Sequence, residues 1–114
     1  MRGAAVYTQG VANTDAIDNN YFEGANGIYL DAISTTVNVN HNLFATTVGI
    51  SAFSPAHSFS VSNNVFMGGA ATPISDSSGL GTYSFNYCDP ANSNCTTCVS
   101  NGQCDTPTVP FAMP

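Results

Sequence analysis

The strongest constraint on the fold is an asparagine that recurs every 22 residues. Its four positions are Asn20, Asn42, Asn64 and Asn86. Other residues recur in the same register, three positions before each asparagine (Ile17, Val39, Val61 and Tyr83) and two positions after it (Phe22, Phe44, Phe66 and Cys88). A fixed period of this length is typical of repeat architectures, in which each unit packs only against its neighbours. The sequence therefore predicts a solenoid.

The spacing within a repeat predicts β-strands. Val37 and Val39 alternate with Asn38 and Asn40, and a period of two places the valines on one face of a strand. About 22 residues are too few for a strand, a crossover helix and two loops, but they suffice for three short strands and three bends. We therefore expect an all-β solenoid of about four 22-residue coils, with the asparagines stacked as a structural ladder. Asparagine tolerates the left-handed conformation of a sharp bend, and its amide bonds to the amide above or below it.

The repeat resembles a known fold. The segment from Gly27 to Leu30, followed by the segment from Val37 to Phe44, is similar to the right-handed parallel β-helix repeat of the pectate-lyase-like superfamily. The resemblance covers about three-quarters of the chain and implies the fold, but it does not imply one activity, because such folds carry unrelated functions.

Composition restricts the partners and the compartment. The net charge is −6, only 7% of residues are charged, and Arg2 is the single basic residue. Such a chain is unsuited to nucleic acid or to an anionic membrane surface. No apolar stretch is long enough for a membrane span, so we expect no membrane insertion. We expect an extracellular or cell-surface protein without a cofactor or metal, whose partners are other copies of the chain or neighbouring coils, and polysaccharide.

The sequence divides into three parts. Residues 1–87 are the predicted coils, residues 88–104 a cysteine-rich cap, and residues 105–114 an extended proline-rich tail. The cap contains Cys88, Cys95, Cys98 and Cys104. Two disulfides are the natural interpretation in a secreted chain, with three connectivities open, because the spacing fits no common zinc module. Asn94 lies in a formal glycosylation sequon.

Two outward-facing rows are candidate binding surfaces. Related enzymes bind polysaccharide on the first of these faces, and the resemblance implies carbohydrate contacts there at Tyr7, Tyr29, Asp31 and Phe53. The alternative is that they are ordinary half-exposed strand residues. The second row follows the asparagines and is a candidate assembly stripe: Tyr21, Leu43, Val65 and Tyr87. Apolar residues in register on one face form a contiguous patch that another subunit can cover.

No catalytic constellation is recognised in the sequence. Its carboxylates do not cluster in register, its only basic residue is terminal, and His41 lacks further ligands for a metal. Outward threonines such as Thr14 and Thr36 do not form the regular array of an ice-binding surface. We expect an extracellular β-helical structural or surface-binding module that assembles with itself or contacts glycans. The alternative is a fragment of a carbohydrate-active enzyme, a polysaccharide lyase or glycoside hydrolase, whose catalytic coils lie outside this chain.

The first coil has no recognisable cap. Its apolar residues lie between Val6 and Val11, and no amphipathic helix precedes them. An uncovered strand edge invites pairing with another chain. We therefore expect the intact protein not to be a free monomer.

Overall fold

The computed structural model describes residues 6–9, 15–31, 36–53, 58–67, 70–89 and 91–105. Ten strands and one short helix lie in these ranges. They are β1 (Val6–Gln9), β2 (Asp15–Asp18), β3 (Tyr21–Asp31), β4 (Val37–Asn40), β5 (Leu43–Ala52), β6 (Phe59–Ser62), β7 (Val65–Phe66), β8 (Thr72–Asp76), β9 (Gly81–Ser84), β10 (Tyr87–Cys88) and α1 (Cys95–Ser100).

The strands form two sheets, and every pairing is parallel. The larger sheet has the order β1-β3-β5-β7-β10, with β8 also paired to β5, and the smaller sheet has the order β2-β4-β6-β9. Each repeat contributes a short strand to the smaller sheet and, after a two-residue bend, a strand to the larger one. The bend between the sheets is therefore the element that all repeats share.

The predicted right-handed parallel β-helix solenoid is wrong. The described residues form two parallel sheets, not a closed or solenoid β-helix of three short strands per coil. The expected second and third strands of a repeat are one continuous strand, Tyr21–Asp31 in one repeat and Leu43–Ala52 in the next. Gly24 adopts a φ of 115° within this strand and still pairs with Thr46, so the strand continues past it.

The 22-residue offset fixes most of the pairing. It relates Val37 to Phe59 in the smaller sheet and Phe22 to Phe44 in the larger one. The exception is β8, where Ile74 pairs with Ile50 and not with Ala52, the residue expected at that position. The shift is two residues, so inward residues stay inward, whereas a shift of one would reverse the faces.

Apolar side chains fill the space between the sheets. Phe44 is fully buried, with its ring centroid 5.0 Å from that of Phe22 and 5.0 Å from that of Phe66. The smaller sheet contributes the buried side chains of Val39, Phe59 and Val61. The ring separation within this column of phenylalanines is close to the spacing of hydrogen-bonded strands, and stacked rings in a close-packed interior leave little room for relaxation.

The bends use a left-handed residue, but not the predicted one. The residue before each ladder asparagine has a positive φ of 56° to 59°; these residues are Asn19, His41, Asn63 and Phe85. The ladder asparagines follow this residue, so their amides turn inward to bond across the repeats.

The sequence-based divisions 1–87, 88–104 and 105–114 stay a prediction. Asp105 bonds directly to the last strand of the larger sheet, and the rest of the proposed tail lies outside the described residues. The residues around Val11 in the uncapped first coil lie outside them as well.

Candidate functional site

The asparagine ladder runs through all four repeats, and three of its four asparagines are buried. Asn42 is 2% exposed, Asn64 0% and Asn86 1%. Each of the first three asparagines donates from its backbone N and from Nδ2 to Oδ1 of the next. These distances are both 3.1 Å from Asn20 to Asn42, both 3.0 Å from Asn42 to Asn64, and 3.1 and 2.9 Å from Asn64 to Asn86.

The second Nδ2 hydrogen ties the ladder to the smaller sheet. Nδ2 of Asn42 donates to the carbonyl of Ile17 at 2.8 Å, and Nδ2 of Asn64 donates to that of Val39 at 3.0 Å. A buried amide costs free energy unless its donors and acceptor are satisfied, and here they are. The ladder therefore joins the two sheets at every bend.

The ladder has a direction. Each bond between two ladder asparagines is donated toward the higher-numbered repeat, so each accepting Oδ1 points toward the lower-numbered one. At the low-numbered end, Asn20 is exposed, and Nδ2 donates to Asn42 and to the carbonyl of Asp18. No described residue donates to Oδ1 of Asn20, so this end of the ladder presents a hydrogen-bond acceptor.

The high-numbered end of the ladder is closed by the chain itself. Nδ2 of Asn86 donates to the carbonyl of Gln103 at 3.2 Å, and the amide of Asp105 donates to the carbonyl of Asn86 at 2.8 Å. The amide of Cys88 donates in turn to the carbonyl of Asp105 at 2.8 Å. The segment after α1 thus occupies the place that a further strand would take.

Two disulfides hold this closing segment. Cys88 pairs with Cys95 and Cys98 with Cys104, so the cysteine pairs are sequential. All four cysteines are at least 95% buried. The sulfurs of Cys88, Cys98 and Cys104 lie within 4.8 Å of one another, but each is bonded to another sulfur and offers no thiolate to a metal. The bonds place the folding of the chain in an oxidising environment.

The predicted carbohydrate-binding residues do not form an exposed platform. Tyr29 is only 8% exposed, and its ring stacks on Phe53 at a centroid distance of 6.2 Å. Phe53 is 57% exposed, Asp31 is half-buried, and the side chain of Tyr7 lies outside the described residues. The inference that Tyr29 points into solvent fails because Phe53 covers it, and carbohydrate binding gains no support here.

The predicted assembly stripe is a contiguous row. Tyr21 pairs with Leu43, Leu43 with Val65, and Val65 with Tyr87, so the four side chains lie on adjacent strands and on the outer face. Tyr21 is 60% exposed and the other three are partly buried. We call these four residues the outer row.

Asp76 is a site that sequence reasoning missed. One carboxylate oxygen accepts hydrogen bonds from the Ser78 hydroxyl and from the amides of Ser78 and Gly79, and the other accepts from Gly81 and Tyr83. Burial opposes ionisation, but the bonds from Ser78, Tyr83 and Gly81 outweigh it and hold the pKa of Asp76 below its ordinary value. Burial and the neighbouring carboxylate both raise the pKa of Tyr83. No other carboxylate aligns with Asp76 in the repeat, so the repeat pattern did not indicate this role.

The closed end contains two further residues that the repeat pattern did not single out. Oε1 of Gln103 is buried and has no hydrogen-bond partner among the described residues, and Gln103 is only 8% exposed. Phe85 is 63% exposed and occupies the left-handed bend position, where a bulky residue is rare. Its misfit with the aligned residues Asn19, His41 and Asn63 was the signal available in the sequence.

In the described part of the chain, no group that would complete a metal-binding or catalytic site lies beside His41. His41 is exposed, and its Nδ1 lies 3.3 Å from Oδ1 of Asn40. His57 lies outside the described residues. Asn94, in the formal sequon, is exposed at the N-cap of α1.

Comparisons with known proteins found no matching family model, no similar curated protein and no similar solved structure. The predicted membership of the pectate-lyase-like superfamily is therefore corrected, since neither a related protein nor a β-helix supports it. The class that fold and site define is a small, disulfide-bonded, mostly β domain of two parallel sheets. Among the described residues, no helix is long and apolar enough to span a membrane.

Proposed function

We propose that this chain is an extracellular structural module that binds a surface of another copy of itself through the outer row. The observation that carries the proposal is the row itself. Tyr21, Leu43, Val65 and Tyr87 follow one another on adjacent strands and expose apolar area outside the core. Contiguous apolar patches of this kind are typical of interaction surfaces.

The rigidity of the sheet supports a structural role. Behind each outward residue of the row lies a buried neighbour of the core, such as Phe44 behind Leu43 and Phe66 behind Val65. The row is therefore held in a fixed geometry by the phenylalanine column. A rigid contact surface loses little conformational entropy on association, which favours binding.

The disulfides support a location outside the cell. They pin the closing segment to the last strands, and such bonds persist in oxidising compartments. A small domain whose core is a narrow space between two sheets gains stability from such links.

The test is the association state of the full chain. We expect sedimentation velocity at micromolar concentration to show an oligomer, and Leu43→Ser with Val65→Ser to weaken association by about tenfold or more, because apolar area is lost from the interface. Thr47→Ser, an exposed substitution on the same strand, is the matched control. A monomer at all concentrations, or an oligomer that the double substitution leaves unchanged, contradicts the proposal.

A further inference from the structure

The four cysteine sulfurs are gathered at one place in the core. The Sγ atoms of Cys88, Cys98 and Cys104 lie within 4.8 Å of one another, although Cys88 is bonded to neither of the other two. The fourth sulfur, that of Cys95, is bonded to the sulfur of Cys88. Two disulfides that only close separate loops need not touch, so this contact is a further property of the closed end.

Backbone hydrogen bonds place three of these cysteines independently of the disulfides. The amide of Cys88 donates to the carbonyl of Asp105 at 2.8 Å, and the amide of Asp105 holds the same segment against the ladder. The amide of Cys104 donates to the carbonyl of Cys98 at 3.2 Å. None of these bonds involves a sulfur, so they do not require the disulfides.

The fourth cysteine is placed by a buried asparagine. The amide of Cys95 donates to the carbonyl of Asn92 at 3.2 Å. Asn92 is only 5% exposed, and its Nδ2 donates to the carbonyl of Ala70 at 2.7 Å. The loop that carries Cys95 is therefore anchored to the body of the domain, and all four sulfurs are held near one point by the backbone.

The donor set determines which ion could be bound. Among the described residues, no carboxylate or imidazole belongs to the group of sulfurs. Thiolates favour zinc and similar ions over magnesium and calcium. Four thiolates around zinc, at Zn–S distances of about 2.3 Å, lie about 3.8 Å from one another in a tetrahedral site. Reduction lets each bonded pair separate to this distance, and a rotation of the Cys95 side chain brings its sulfur into the group.

We propose that the reduced chain binds one zinc ion through Cys88, Cys95, Cys98 and Cys104, so that a tetrathiolate site replaces the two disulfides at the closed end. Each disulfide takes up two electrons and two protons from a dithiol, which itself becomes a disulfide. Zinc then displaces the four thiol protons and forms four Zn–S bonds. The site is separate from the outer row, so its test does not depend on the proposed function.

The experiment uses the full chain with all four thiols free. A phosphine reduces the disulfides in urea without oxygen; each disulfide gives two thiols, and the phosphine takes oxygen from water to become a phosphine oxide. Urea is removed by dilution, and thiol titration verifies complete reduction before Co²⁺ or Zn²⁺ is added. The visible absorption of Co²⁺ distinguishes a tetrahedral thiolate site from octahedral oxygen coordination, and displacement by Zn²⁺ gives the zinc affinity.

We expect one metal ion per reduced chain, with the tetrahedral thiolate spectrum, and none bound by the oxidised chain. Cys88→Ser and Cys98→Ser, each removing one ligand, should weaken zinc binding by at least about a hundredfold. His41→Ala is the matched control and should leave the affinity unchanged. In urea the reduced chain should bind zinc at least about tenfold more weakly, because the fold no longer gathers the sulfurs.

Three results overturn the proposal. One is a fully reduced chain that binds no stoichiometric zinc at micromolar concentration. Another is an octahedral Co²⁺ spectrum, which would place the ion on oxygen ligands. The third is an affinity that Cys98→Ser or urea leaves unchanged, because the ion would then be held by thiols that the fold does not bring together. The comparison in urea applies even to a variant that fails to fold.

Discussion

The Tyr83 hydroxyl donates a hydrogen bond of 2.8 Å to Oδ2 of Asp76. Asp76 is the last residue of β8, and Tyr83 lies within β9. The bond therefore joins the larger sheet to the smaller one across the loop at Gly79. The same carboxylate gathers the amides of that loop. Stability at both extremes of pH should therefore depend on this pair.

At acid pH, the pair predicts a loss of stability. The folded pKa of Asp76 is lowered, so its contribution is present above the ordinary pKa of 3.8 and is lost as pH falls from there through the folded value. Asp76→Asn should be less stable than wild type at pH 6, and the difference should shrink below about pH 4. Urea unfolding at pH 6 and pH 2.5 measures this, and an equal difference at both pH values would contradict it.

At alkaline pH, the direction in which stability changes follows from Tyr83. Its folded pKa is raised, so its contribution is complete below the ordinary value of 10.0 and is lost as pH rises above it. Tyr83→Phe should therefore lose less stability than wild type between pH 9 and pH 11. The exposed Tyr21→Phe, measured in the same series, should follow the wild-type curve.

The asparagine ladder predicts that the same substitution, asparagine to alanine, lowers stability by different amounts at different positions. Asn64→Ala removes the acceptor of Asn42 and a donor to Asn86 inside the core, so we expect a loss of about 3 kcal/mol or more in the free energy of unfolding. Asn20→Ala, at the exposed end, should cost about 1 kcal/mol or less. Equal costs in urea unfolding would show that the ladder is not a buried network.

The phenylalanine column predicts a large truncation effect. Phe44 is fully enclosed between Phe22 and Phe66, so Phe44→Ala should cost about 3–5 kcal/mol. Phe53→Ala is the matched control, because Phe53 is mostly exposed and should cost much less. Urea unfolding with a loss under about 1 kcal/mol for Phe44→Ala would contradict the packing.

A side chain at Gly49 would clash with neighbouring atoms that cannot move away. A Cβ there would meet the carbonyl oxygen of Pro73 and would lie 2.6 Å from the ring of Phe66. We expect Gly49→Ala to cost about 1–3 kcal/mol by overpacking. Thr47→Ala, two residues away and exposed, should change stability by less than about 0.5 kcal/mol. Thermal unfolding of both variants under one condition compares them directly.

The 22-residue period was enough to predict which residues pair, but not where each strand begins, bends and ends. The side chains of Phe22 and Phe44 align because identical patterns favour parallel, in-register pairing. Where a strand bends depends on single residues, and Gly24 turns within β3 without ending it, so the three-strand repeat was wrong. The two-residue shift that brings Ile74 opposite Ile50 has no signature in a fixed period.

The candidate sites were harder to predict than the pairing. Tyr29 lies at an outward strand position, yet Phe53 covers it, and contacts between rings on different strands do not follow from alternation. Asp76 gains its partners from a loop of irregular length. The pairs Cys88–Cys95 and Cys98–Cys104 are one of three connectivities among which spacing alone does not choose.

The shift at β8 has a consequence for how sequences of this kind tolerate insertions. Between Phe66 and Ile74 the chain is two residues longer than in the preceding repeat, and the neighbouring strands absorb the change without turning a core residue outward. An inserted pair of residues in such a connection is therefore tolerated, whereas a single inserted residue reverses every side chain until a bend resets the phase. Lineages of this fold should thus differ in length by even steps between β7, which ends at Phe66, and β8, which contains Ile74.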